Sequence, residues 1–266
     1  MTAPAHEVYA VKFGQHPGGK RAQYFHGSAA EPLEKPTQLD YFVWLIRSPG
    51  QDPSRDIVVD AGFTAETAAR RGREHWQAPS RALEGLGADC SAVPYVILSH
   101  FHYDHVGDVE AFTGAKFVVQ AREMAFWTGR HAARHEFRRL VERADIERLA
   151  GYALDGRVLF VDGEHDVVPG VRVHHVGGHT AGLQIVSVAT ARGTVVLAAD
   201  ASHLYANVED DAPFGVLTDL PAMYDTFDRM RALAAAPELI VPGHDPEVLA
   251  RFDPVDGFEG RAVRIA

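Results

Sequence analysis

The stretch Ser99-His100-Phe101-His102-Tyr103-Asp104-His105-Val106-Gly107 decides how the rest of the chain is read. It places three histidines and an aspartate within six consecutive positions, interleaved with Phe101 and Tyr103 and followed by Val106. Tyr95-Val96-Ile97-Leu98, just before it, is a short apolar run that reads as a buried strand. The cluster therefore belongs on a loop leaving a strand end, where a rigid sheet presents side chains to a cleft. Imidazole nitrogen and carboxylate oxygen are accepted by zinc and similar borderline metals. His100 and His102 alternate past one residue and so face one side in extended backbone. Asp104 and His105 follow a turn and face a second point. Four candidates aimed at two points imply a binuclear metal site. The interleaved apolar residues argue against a merely His-rich surface loop.

The chain of 266 residues is long enough for one large domain with a substantial core, or two small ones. A formal charge of −10 works against a nucleic-acid partner, which needs clustered lysine and arginine. No apolar run approaches the roughly 18 residues of a membrane span. The start, Met1 to Glu7, lacks the basic and apolar segments of a secretory signal. Cys90, the only cysteine, excludes an intrachain disulfide and fits a reducing compartment. These features imply a cytoplasmic protein with neither membrane nor nucleic acid as partner.

In chain order, Glu7 to Phe13 reads as a first strand. Gly14 to Gly27, turning at Pro17-Gly18-Gly19, is a solvated loop or else a lid or a contact with a second copy in a homodimer. Strands follow at Leu39 to Ile46 and Asp56 to Val59. Asp60 then serves either as a turn former or as a hydrogen-bond partner of a metal-binding histidine. Thr64 to Arg73 and Ser80 to Leu86 read as helices, each started by a hydroxyl residue able to cap. After a strand at Lys116 to Val119 comes a helix-rich insertion over residues 121–150, broken at Gly129. It carries Met124, Phe126, Trp127, His131 and His135, and either packs as core or roofs the cleft. Strands at Val158 to Val161, Val171 to Val176, Leu183 to Val188, Thr194 to Ala198 and Leu239 to Val241 build a second half, with a helix at Pro221 to Ala235. No linker interrupts the chain. Two strand-rich halves closed by helices suggest one domain of two packed sheets covered by helices.

Three further strand ends look like the first cluster. His179 sits in the glycine-rich turn Gly177-Gly178-His179-Thr180-Ala181-Gly182, Asp200 ends Val195-Val196-Leu197-Ala198-Ala199, and His244 follows Ile240-Val241-Pro242-Gly243. Singly each is a common turn residue; the set is specific.

His100-x-His102-x-Asp104-His105, then His179, Asp200 and His244, resembles the signature of the metallo-β-lactamase superfamily, in the family's order. The resemblance implies an αββα sandwich of the α/β class, two mixed sheets covered by helices, spanning 1–266 as a single domain with the insertion at about 121–150. It implies that His100, His102 and His179 bind a first metal. Asp104, His105 and His244 would bind a second, and Asp200 would bridge the two. Two zinc ions are expected, with iron, manganese or cobalt as alternatives.

Within the superfamily the chain is most similar to N-acyl-homoserine-lactone lactonases, which share its size, an aspartate at position 200, the His-Thr-x-Gly turn and a His-Asp pair after Pro-Gly. Such lactonases often place a tyrosine three residues after the bridging aspartate, where it hydrogen-bonds the substrate carbonyl. His203 stands there, with Tyr205 two residues on, and Leu183 stands where a histidine is common. The implied function is a dinuclear hydrolase that opens a lactone or related ester by attack of a metal-bridging hydroxide on a small-molecule substrate. Asp104 would orient the nucleophile, and His203 or Tyr205 would stabilise the oxyanion or else pack beside the site. A thioesterase, phosphotriesterase, β-lactam or amide hydrolase, or an iron-dependent oxygen or sulfur enzyme, are the alternatives on the same centre.

Overall fold

The computed structural model describes residues 5–27 and 31–266. Residues 1–4, part of the stretch read as lacking a secretory signal, lie outside it. The first seven strands are β1 (Glu7–His16), β2 (Leu39–Arg47), β3 (Ile57–Val59), β4 (Glu74–His75), β5 (Tyr95–Ile97), β6 (Lys116–Gln120) and β7 (Val158–Val161). A second sheet follows with β8 (Glu164–Val168), β9 (Val171–His175), β10 (Gln184–Thr190), β11 (Gly193–Ala199) and β12 (Ile240–Pro242). The chain then returns to the first sheet with β13 (Asp253–Pro254) and β14 (Ala262–Arg264). The first sheet runs β13-β14-β1-β2-β3-β5-β6-β7 with β4 beside β1, and the second β12-β11-β10-β9-β8. Both are mixed: β3, β5, β6 and β7 pair in parallel beside antiparallel β1 and β2, and β12 lies parallel to β11.

Strand periodicity explains the layering. Alternate residues of β1 and β2 (Val8, Ala10, Phe42, Trp44, Ile46) face Val173, Val186, Val188, Val195 and Leu197 of the second sheet, forming a core between the sheets. The intervening residues (Val11, Phe13, Tyr41, Val43, Leu45) pack outward under helices. α1 (Arg21–Tyr24) packs apart, with Leu39, Leu204 and Phe214; the covering helices are α2 (Ala65–Arg71), α3 (Pro79–Gly85), α4 (Ala121–Trp127), α5 (His135–Arg138) and α6 (Arg143–Leu154). Beyond the second sheet lie α7 (Tyr205–Glu209) and α8 (Leu220–Leu233), while α9 (Val248–Arg251) packs beside β13 and β14. Met223, Phe227 and Met230 of α8 pack on Ile185, Val196 and Ala198. The architecture is the αββα sandwich expected from sequence. Among the described residues no helix is long and apolar enough to cross a membrane.

Two local readings change. Thr64 does cap α2, accepting from the Thr67 N–H at 3.2 Å. Ser80 lies inside α3, which starts at Pro79; the Ser80 N–H donates to Asp108 Oδ2 at 2.9 Å. Residues 14–27 are not a solvated loop: β1 runs on to His16, and Tyr24 of α1 is buried.

Candidate metal centre

The strand ends of β3, β5 and β11, and the turns after β9 and β12, converge at one edge of the two sheets. Backbone strain marks two of these ends. Asp60 has φ 61° and Ala199 φ 44°, a left-handed conformation costing ~1–3 kcal/mol at a non-glycine residue. At Asp60 side-chain bonds offset the cost: its carboxylate accepts the Ser99 N–H at 2.7 Å, the Ser99 hydroxyl at 2.9 Å and His105 Nδ1 at 2.7 Å. Asp60 is thus both turn former and partner of a clustered histidine.

The cluster divides about Asp200. Its Oδ2 lies 3.5 Å from His100 Nε2 and 3.1 Å from His179 Nε2; its Oδ1 lies 3.2 Å from His105 Nε2 and 2.9 Å from His244 Nε2. His102 Nδ1 is 2.9 Å from His179 Nε2, and Asp104 lies 3.8 Å from His105 and 3.9 Å from His244. His100, His102, His179 and Asp200 form one group suited to a metal ion, and Asp104, His105 and His244 another. All but Asp104 are buried.

The donor set fits a metal. His100 Nε2 and His105 Nε2 are buried without a hydrogen-bond partner, although they point among carboxylate and imidazole groups. The opposite ring nitrogens are held: His100 Nδ1 by the Ser99 hydroxyl (3.0 Å), His105 Nδ1 by Asp60, His179 Nδ1 by the Val216 carbonyl (2.6 Å) and His244 Nδ1 by the Asp40 carbonyl (2.9 Å). Fixing the outer nitrogen leaves the inner one free to ligate, as metal-binding histidines require. The electrostatics divide the histidines: against burial, Asp200, Asp60 and Asp104 hold His105 well above the usual histidine range, and Asp200 with Asp104 raises His244. Burial and neighbouring imidazoles push His100 and His102 well below the usual histidine range. Burial would raise Asp200, but the surrounding histidines, His203 foremost, hold it well below the usual carboxylate range.

His203 joins the cluster itself. Its Nε2 lies 2.9 Å from Asp200 Oδ2, and its ring stacks on Phe214 with centroids 3.3 Å apart. With Asp200 and His244 it makes a third group of metal-binding geometry. Burial pushes it down to about 3, so the ring is neutral and offers one N–H. Tyr205, by contrast, is turned away. As the first residue of α7 it projects into the core between the sheets, under the Arg251 guanidinium at 3.4 Å, and its hydroxyl is buried without a partner. The oxyanion role considered for it has no geometric basis, because the helical turn after Leu204 aims its ring inward.

A cleft of about 280 Å³ opens on the cluster, lined by Asp104, Asp200, His203 and His244 together with Tyr41, Arg73, Tyr103 and Phe214. A larger cavity of about 860 Å³ lies among the 121–150 helices and shares only Arg139 with it; the titratable cluster opens into the smaller one. The insertion does reach the cleft. Arg139 and Leu140 line it, the Tyr103 N–H bonds to the Leu140 carbonyl at 2.9 Å, and the Trp127 ring is 5.6 Å from that of His102.

Three residues escaped the sequence reading. Glu123, 1% exposed, accepts four hydrogen bonds: from the Phe101 N–H (2.9 Å), Trp127 Nε1 (2.7 Å), the Thr180 hydroxyl (2.9 Å) and the Gly182 N–H (2.8 Å). One carboxylate thereby ties the His100–His102 strand, the insertion and the His179 turn together. Gly182 permits this approach, since a Cβ there would lie 2.3 Å from the Glu123 nitrogen. Tyr41 and Arg73 meet at Tyr103: the two hydroxyls are 2.9 Å apart, and Arg73 Nε donates to Tyr103 Oη at 3.0 Å. No local pattern announces any of these; each acts through contacts distant in sequence.

Comparison with known proteins agrees with this fold. An N-acyl homoserine lactonase of a Bacillus species is 32% identical over 167 residues, which is 62% of this chain and 61% of that protein's length. The chain thus matches about three fifths of that relative. The crystal structure of a quorum-quenching N-acyl homoserine lactone lactonase superposes with a TM-score of 0.71 at 23% identity, covering 92% of this chain and 93% of the other. A dizinc quorum-quenching lactonase solved with its product superposes with a TM-score of 0.71 at 17% identity, over 92% and 90% of the two chains. The metallo-beta-lactamase superfamily model matches residues 36–244, from before β2 to the last clustered histidine, and the chain belongs to that superfamily.

Proposed function

We propose that this chain is a dinuclear-metal hydrolase that opens a lactone or related carboxylic ester, N-acyl-homoserine lactones being the leading substrate class. One observation carries the reading: the two oxygens of Asp200 face two separate sets of histidines. A single tetrahedral ion would use about four of the seven side chains. His100, His102 and His179 would hold one ion, Asp104, His105 and His244 the other, and Asp200 both. The metals, zinc in this reading with iron, manganese or cobalt as alternatives, supply an activated water and a Lewis acid for the carbonyl.

The remaining work falls to side chains. Asp200 keeps the two sets at a fixed separation. Asp104 is the most exposed of the seven and lines the cleft, so its carboxylate is placed to orient the nucleophile and take up its proton. His203, neutral and bonded to Asp200, positions the bridging carboxylate and presents one ring face to Phe214. Leu140, Val216 and Phe214 give the cleft an apolar wall that excludes bulk water around the scissile carbonyl. Tyr205 takes no part. Names of relatives support the substrate class, and the buried lone cysteine fits a cytoplasmic enzyme. The test is direct: metal-loaded protein incubated with N-hexanoyl homoserine lactone should yield the ring-opened acid, seen by chromatography. Absence of ring opening of this and of simple γ-lactones and aryl esters would overturn the proposal.

A further inference from the structure

Arg73 stands out among the cleft residues that the proposed chemistry does not use. Its Nε donates to Tyr103 Oη at 3.0 Å and its Nη1 to the Arg71 carbonyl at 2.9 Å. Among the described residues no carboxylate lies within 4.0 Å of it, while most other arginines of this acidic chain are paired. Its guanidinium is half-buried and lines the cleft beside Asp104. Two neighbours share its surroundings and feel its charge, His16 and Tyr24. Both line the cleft, and His16 Nδ1 and the Tyr24 hydroxyl are buried without a partner. Tyr24 is 8% exposed and stacked on Phe214 at 5.6 Å, so its position is fixed. A half-buried cation whose Nη2 bonds nothing in the chain, sharing a cleft with two buried unsatisfied polar groups, is a ready partner for an anion. Among the described residues Asp104 feels this charge from beyond 4.0 Å, but no carboxylate of the chain pairs with the guanidinium directly.

We propose that Arg73, with His16 and Tyr24, forms an anion subsite of the cleft, which selects lactones or esters carrying a carboxylate away from the scissile bond. The proposal rests on the hydrolase reading and narrows its substrate class: on it, anionic lactones or esters rank above the neutral N-acyl-homoserine lactones at that site. A planar guanidinium pairs with a carboxylate through two N–H donors, whereas a neutral amide of the same shape accepts them weakly. A charge-assisted contact of this kind discriminates by about 10- to 100-fold.

The test compares 5-oxotetrahydrofuran-2-carboxylate with its carboxamide, in metal-loaded wild type and in Arg73→Met and Arg73→Lys. The wild type should favour the carboxylate by 10-fold or more in kcat/KM. The ratio should fall to near one in Arg73→Met and lie between in Arg73→Lys. Calorimetric binding of the same pair reads the same preference without turnover, and serves also if Arg73→Met folds poorly, because the wild-type ratio alone must be large. A wild-type ratio near one, or a ratio that survives Arg73→Met, overturns the subsite. If both compounds lose turnover equally in Arg73→Met, Arg73 acts on the Tyr103–Tyr41 pair or on the reacting carbonyl, and the subsite is again overturned. If neither compound is hydrolysed yet the binding preference holds and vanishes in Arg73→Met, the subsite stands and the hydrolase reading falls.

Discussion

Replacing Glu123 by glutamine should damage both the fold and metal retention, although Glu123 touches no metal. Oε1 accepts two N–H donors, from Phe101 and Trp127, and Oε2 accepts the Thr180 hydroxyl and the Gly182 N–H. A glutamine keeps one accepting oxygen and turns the other into a donor. Its least costly orientation aims the NH₂ at Thr180, whose hydroxyl can rotate to accept, and leaves the Gly182 N–H unsatisfied. An orphaned buried donor costs ~1–3 kcal/mol, and the two bonds retained on Oε1 lose their charge assistance at about 1 kcal/mol each. The packing at Gly182 blocks relaxation. The total is about 3–5 kcal/mol, within the range kept for broken buried networks. Urea unfolding followed by tryptophan fluorescence would measure it. Metal affinity should fall at least tenfold, because Phe101 lies between His100 and His102 and Thr180 follows His179. Glu123→Gln within about 0.5 kcal/mol of wild type, with unchanged metal content, would refute the reasoning.

Other consequences are equally open to measurement. Burial raises Asp145 from its usual 3.8 to about 6, despite the Arg148 guanidinium at 2.9 Å. The folded state therefore binds this proton more tightly than the unfolded state, a contribution complete below about pH 4 and lost as pH rises through 6. Asp145→Asn should gain stability relative to wild type above pH 6, by up to about 3 kcal/mol less what Arg148 loses with its partner, and none near pH 4; melting temperatures at both pH values check it. Tyr205→Phe should leave lactone turnover intact and hold or slightly raise stability, since the hydroxyl it removes is buried without a partner. His203→Ala should cut turnover by roughly 10- to 100-fold, the worth of a hydrogen bond to a charged group, while both metals stay bound. Loss of one metal equivalent in that variant would make His203 a ligand.

The strands were legible because their residues are apolar on both faces or alternate cleanly, and the seven clustered side chains because each sits at a strand end or in a tight turn. β4, β8, β13 and β14 were not legible: β4 and β13 have two residues each, β14 three, and β8 opens with the polar run Glu164-His165-Asp166. The helix α8 was legible from Met223, Phe227 and Met230 on one face. What failed was direction. His203 and Tyr205 are two positions apart, but α7 begins between them, so one ring enters the cluster and the other the sheet core. Glu123, Arg73 and Tyr41 had no signature, because apart from Trp127 for Glu123 and the Arg71 carbonyl for Arg73 their partners lie tens of residues away. The Asp40 and Val216 carbonyls that orient His244 and His179 are backbone groups, common to every residue type.

The division of the cluster about Asp200 is the centre of this account, and metal stoichiometry tests it most directly. Elemental analysis of gently purified protein, paired with lactone hydrolysis before and after exhaustive chelation, should give close to two equivalents of metal per chain. Turnover should vanish with the metal and return on adding Zn²⁺, Co²⁺ or Mn²⁺, and Asp200→Ala should lose both metal and activity. One tightly held ion with Asp200→Ala unaffected, or hydrolysis that persists after metal removal is verified, would contradict it.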